Sequence, residues 1–172
     1  RFDLVVVVLL AYLAKILLGA VLVCIAGGIS LLLKDALDTK SPTWAVPILT
    51  VESNGSPISQ DSICTAEYQW NFWTSVEKMV NNYSITDIKD DILTTNVLPG
   101  MEMELHFSRD PISVTVSRAV SLNSNEFTEV EPDKNGCIYT PPVGATYIYR
   151  VEASFDRGSV MYYFGITVMD MY

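Results

Sequence analysis

From Leu4 to Leu33 the chain reads LVVVVLLAYLAKILLGAVLVCIAGGISLLL, a run in which Lys15 is the sole ionised side chain. As a helix, about 30 residues extend roughly 45 Å, more than the ~30 Å hydrocarbon core of a bilayer requires. The sequence therefore predicts a transmembrane or assembly helix over residues 1–40 that tilts or projects beyond lipid. Lys34, Asp35, Asp38 and Lys40 end the apolar run, and Ser41-Pro42 marks the exit from helix. The stretch is too long for a cleavable signal peptide. Val23, where a lipid-attachment signal needs a small residue, argues against acylation of Cys24. The missing initiator Met is expected from processing before Arg1 or from a chain cut there.

A lysine near the bilayer centre costs about 2.5–3.5 kcal/mol on insertion scales unless it snorkels or pairs. Two readings of Lys15 stand. In one it reaches an interface and the span proper runs from Ile16 to Leu33. In the other it meets a carboxylate of a neighbouring subunit, Asp3 of another copy being a candidate, inside a helical bundle or filament core. Gly19, Gly27 and Gly28 supply small surfaces on which helices can approach closely, without a GxxxG pair. Residues 4–33 are thus expected to face a lipid bilayer or neighbouring helices.

Beyond a linker over 41–50, the pattern switches to short alternating runs. Ile48 to Glu52 reads as a strand followed by an Asn54-Gly55 turn, and Cys64 to Phe72 as a second strand. Residues Val76 to Leu93 mix apolar and polar types, with room for one short helical turn. Met101 to Phe107 and Ser113 to Val120 alternate with period two, Phe127 to Val130 is a short strand, and Tyr147 to Phe155 with Val160 to Val168 makes the clearest hairpin. In that hairpin Tyr149, Val151, Ala153 and Phe155 share one face, and the bulky run Met161 to Phe164 is expected to form an outward aromatic patch or to pack across strands. Seven or so strands at this spacing predict a mainly β chain, with an immunoglobulin-like two-sheet β-sandwich over 51–172.

The chain carries a net charge of −9. Residues 1–40 hold four cations (Arg1, Lys15, Lys34, Lys40) against three carboxylates (Asp3, Asp35, Asp38), a balance of +1, so the remainder carries −10. That sign repels phosphate backbones and disfavours nucleic-acid binding, while cationic partners and divalent ions stay open. Cys24 lies in the apolar run, so Cys64 and Cys137 are the disulfide candidates. A bridge closing roughly 70 residues would stabilise by about 4 kcal/mol in the chain-entropy model; the alternative is two free thiols.

His106 is the one histidine, in mid-strand, and is expected to be structural or exposed. No GxGxxG, Walker loop, HExxH or CxxC is present, so no enzyme activity and no cofactor are expected. Asp87, Asp90 and Asp91 are weak calcium candidates without EF-hand spacing, as is the acidic stretch Glu126, Glu129, Glu131 and Asp133; either reads equally as a solvated loop. Asn54-Gly55-Ser56 and Asn82-Tyr83-Ser84 are glycosylation sequons.

Tyr68-Gln69-Trp70-Asn71, Leu98-Pro99-Gly100 leading to Leu105-His106-Phe107-Ser108 and Pro111, and the ending Tyr147 to Ala153, Gly158, Tyr163-Phe164 and Ile166-Thr167-Val168 belong together as a pattern. On them the region from about Val51 to Val168 resembles a family of small extracytoplasmic domains at the surface of Gram-positive bacteria, usually borne by a lipobox or a single spanning helix. Members often have a cysteine directly beside the aromatic motif, whereas Cys64 precedes Tyr68 by four residues. The resemblance implies a β-sandwich outside the cell membrane and no particular activity. Three roles are expected: a single-pass, membrane-anchored surface module binding a protein or envelope partner; a pilin-like subunit whose self-associating helices form a filament core; or an accessory subunit of a membrane complex. The N-terminal glutamate and Phe-Thr-Leu-Ile pattern of type IV pilins is absent.

Overall fold

A computed structural model describes residues 2–81 and 83–170, with side chains described from Val6 onward apart from 42 and 43. The Asp3 side chain and the Asn82 sequon lie outside the described residues. Helix α1 runs Phe2–Lys40. Along the apolar run its described side chains are all exposed within the chain, and the helix is long and apolar enough to cross a membrane. With leucine, valine and isoleucine on every side, no stripe of it is reserved for the rest of the chain.

Helical turn α2 (Pro42–Ala45) leads into β1 (Leu49–Ser53), β2 (Ser56–Pro57), a 3-10 turn (Gln60–Ser62) and β3 (Ile63–Asn71). Then come β4 (Val76–Val80), α3 (Ile85–Asp91), β5 (Thr95–Val97), β6 (Glu102–Phe107), β7 (Ser113–Ala119), β8 (Phe127–Glu129), β9 (Ile138–Tyr139), β10 (Ala145–Phe155) and β11 (Gly158–Val168). A four-stranded sheet β2-β1-β6-β9 faces a seven-stranded sheet β4-β3-β11-β10-β7-β8, in which β5 adds in parallel to the end of β11. This is a two-sheet β-sandwich with more strands than the seven expected. The β1–β2 turn has positive φ at Asn54 (51°) and Gly55 (74°), the conformation that an Asn-Gly hairpin supplies.

Alternation builds the core. Tyr149, Val151, Ala153 and Phe155 of β10 meet Val160, Tyr162, Phe164 and Ile166 of β11 inside the sandwich, with Leu49, Val51 and Met103 from the smaller sheet. Phe107 bridges the sheets, with ring centroids 6.0 Å from Phe155 and 6.1 Å from Tyr162. Strand β11 breaks the alternation because both of its faces are covered: Tyr163 points away from the main core into a second cluster with Ala66, Ile85, Ile88, Ile92 and Ile148. The bulky run at 161–164 is therefore internal packing on both faces, Tyr162 and Phe164 in the main core and Met161 and Tyr163 on the α3 side, where Tyr163 lies 6.0 Å from Phe127. The Ser84 hydroxyl and the Asp87 carboxylate cap α3 reciprocally.

The linker expected over 41–50 is not a free tether. Val46 is buried in the main core, and the buried Tyr162 hydroxyl donates to the Pro47 carbonyl at 2.6 Å. The sandwich thus grips the chain within six residues of the helix end.

Candidate functional site

The last turns of α1 carry two carboxylates at the end of a helix, where the macrodipole disfavours negative charge. Both are compensated. Asp38 pairs with Lys34 at 2.7 Å, and Asp35, only 3% exposed, plugs into the sandwich.

The socket is the β3–β4 turn, which closes through the Phe72 N–H donating to the Ser75 carbonyl at 2.7 Å. That turn aims two successive backbone N–H groups outward, the arrangement of an anion-binding nest. Trp73 N–H donates to Asp35 Oδ1 at 2.8 Å, while Thr74 N–H and Thr74 Oγ1 donate to Oδ2 at 3.1 and 2.8 Å. Arg157, in the β10–β11 turn, closes the site with Nη2 at 3.5 Å from Oδ1. Its Nε donates to the Asn71 carbonyl at 2.9 Å, and its guanidinium lies 5.8 Å from the Phe72 ring centroid. Asp35 stands beyond Leu33, outside the apolar run. Burial pushes its carboxyl up, but the Trp73 N–H, the Thr74 hydroxyl and N–H and the Arg157 charge push harder, so its pKa falls below the ordinary carboxylate value.

A lowered folded-state pKa means that this clamp is fully present above the unfolded carboxyl pKa and is lost as pH falls through the lower, folded one. At neutral pH it is closed. Asp35→Ala is expected to leave the sandwich folded and to raise the rate of tryptic cleavage at Lys40 on the order of tenfold, the factor set by losing a hydrogen bond to a charged group. Asp35→Asn should loosen the joint partially and remove its acid sensitivity. Cleavage as slow as in the native chain would show that the clamp does not hold.

A second constellation lies on the outer face of the smaller sheet. The two-residue period of β6 turns Glu102, Glu104 and His106 outward, and register sets Glu52 opposite Glu104. His106 Nε2 is 3.6 Å from Glu104 and 3.8 Å from Glu52. The donor atoms of Glu102, Glu104 and Cys137 lie within 4.8 Å of one another. A hydrogen bond to Glu102, then burial, then the charges of Glu102, Asp133 and Glu104 push the Cys137 thiol up to about 11. A thiol held protonated is neither a nucleophile nor a ligand at neutral pH unless a cation displaces its proton.

Of the two alternatives for Cys64 and Cys137, this structure has the free thiols, and Cys24 is free as well. Cys64 packs on the α3 side of the larger sheet, away from the smaller one, and Cys137 lies beside Glu102 and Glu104 of the smaller sheet. The weak calcium candidates are also not gathered: Asp87 is spent on the cap of α3, while Asp90 and Asp91 are exposed. Asp133 is occupied by the Asn135 and Cys137 N–H groups and by the Tyr139 hydroxyl. Lys15 is exposed, without an ion pair among the described residues. A Cβ added at Gly19, Gly27 or Gly28 would meet nothing within 4 Å, so none of the described residues packs on them.

Sequence reading missed the Asp35 socket, because its parts lie 38, 39 and 122 residues apart. The available signal was a carboxylate placed against the helix dipole. No protein-family model matches the chain, and comparison with curated proteins and with solved structures returns no match.

Proposed function

We propose that the chain is a membrane-anchored surface protein that works without catalysis, carrying its β-sandwich outside the membrane for a protein or envelope partner. The observation that carries this reading is the joint: a helix exposed along the described part of its apolar run is clamped through Asp35 to a folded sandwich. Such a joint suits a protein that presents a domain at a set attitude. The resemblance to Gram-positive surface domains supports the same location, and the acidic strip of Glu52, Glu102 and Glu104 suits a basic partner.

The filament reading is favoured by Lys15, which finds no counter-charge among the described residues, and by an apolar run longer than one bilayer requires. Light scattering and negative-stain microscopy in mild detergent separate the two. The anchored module gives a monodisperse monomer, and filaments or large oligomers would overturn it. Lys15→Leu is expected to leave the monomer inserted and folded; loss of an assembly in that variant would show instead that the charge is paired between subunits.

A further inference from the structure

We propose that Trp73, with its neighbour Val76, forms an interfacial foot by which the sandwich itself rests in the lipid headgroup layer, fixed there by the Asp35 clamp. The inference rests on the anchored reading above and adds a second, non-helical membrane contact to it.

Two of the three tryptophans are outside the core: Trp70 is fully buried, whereas Trp73 is 72% and Trp44 87% exposed. The position of Trp73 is fixed by the clamp. Its N–H donates to Asp35, and Asp35 follows the last residue of the apolar run, Leu33, by two residues, about 3 Å along a helix axis. The headgroup region on each side of a bilayer is roughly 5–7 Å deep. Lys15 sets the depth of the helix: 18 residues from Ile16 to Leu33 span about 27 Å, so Lys15 at one interface leaves Leu33 at the other. Trp73 then falls in the layer where an amphipathic indole is most favoured.

Its surroundings fit. Val76, 60% exposed, closes the same turn, and the side chain of Arg157, in the neighbouring β10–β11 turn, is partly exposed. Ile112, 74% exposed, hangs from the same end through its N–H bond to the Ser154 carbonyl. The rest of the sandwich is strongly acidic and would be repelled by anionic lipid. The contact therefore works through aromatic and apolar burial and is expected in neutral bilayers.

The test uses the full chain in phosphatidylcholine nanodiscs whose acyl chains are brominated just below the headgroups. In a Trp44→Phe background, the emission lost on adding Trp73→Phe reports Trp73 against the buried Trp70. Bromolipid is expected to quench that difference by about half or more, with aqueous iodide having little effect. Asp35→Ala should reverse the two sensitivities. A polarity-sensitive dye on Cys24, in a Cys64→Ala background, reports the helix independently. A Cys24 dye in water overturns the anchored reading and the foot together. A Cys24 dye in lipid with Trp73 quenched by iodide and untouched by bromolipid overturns the foot alone.

Discussion

Trp70→Ala is expected to cost about 3–5 kcal/mol, the range for truncating a buried aromatic, and with a typical reserve of roughly 5–15 kcal/mol that brings the sandwich close to unfolding. Trp70 is fully buried on β3, edge-on to Phe155 at 5.8 Å between centroids, with the Arg109 guanidinium 5.5 Å from its ring centroid. Its indole N–H has no hydrogen-bond partner among the described residues. Trp70→Phe should therefore be far milder, about 1.5 kcal/mol or less, because it keeps an aromatic body and loses no hydrogen bond. Thermal melts by near-ultraviolet circular dichroism in detergent check both. Equal losses in the two variants would show that the indole matters for something other than filling space.

Gly158→Ala is expected to destabilise by about 3 kcal/mol or more, combining backbone strain with a forced shift of packed atoms. Gly158 has φ of 155°, and an added Cβ would run into the Gln69 carbonyl oxygen on the neighbouring strand. Gly158→Asn should be no more stable: its Cβ meets the same carbonyl, and φ of 155° lies outside the left-handed well that asparagine tolerates. Because Arg157 is the adjacent residue, both variants should also loosen the helix joint and speed cleavage at Lys40. A Gly158→Ala protein that melts like the native chain would refute the close approach of these strands.

Much of this architecture is legible in the sequence. The apolar helix, the Asn54-Gly55 turn and strands β1, β3, β6, β7, β8, β10 and β11 follow from period and turn residues, because each is decided by its own few residues. Strands β2, β5 and β9 were not legible: two or three residues hold no period, and they exist only because a neighbouring strand offers its edge. Strand β4 alternates weakly since neither of its faces is fully buried. Helix α3 appeared as one short turn. Its signal was Ser84 three residues before Asp87, ahead of buried Ile85 and Ile88.

The site was less legible than the fold for the same physical reason. Cysteine spacing carries no information about which way each thiol points: Cys64 faces the cluster beneath α3, on the side of the larger sheet away from Cys137. Glu52, Glu104 and His106 become neighbours only through the β1–β6 register. Asp35 marked the end of an apolar run in the sequence; its backbone donors come from a turn decided by β3 and β4.

The clamp gives the length of the apolar helix a mechanical meaning. In the anchored arrangement proposed above, the span from Ile16 to Leu33, about 27 Å long, leans once the hydrocarbon core is thinner than that, and its lean steepens as the bilayer thins. Joined by a hinge, the sandwich would ignore that inclination. Joined through Asp35, Thr74 and Arg157, it turns with the helix, so in that proposed arrangement bilayer thickness is geared to the angle between sandwich and membrane.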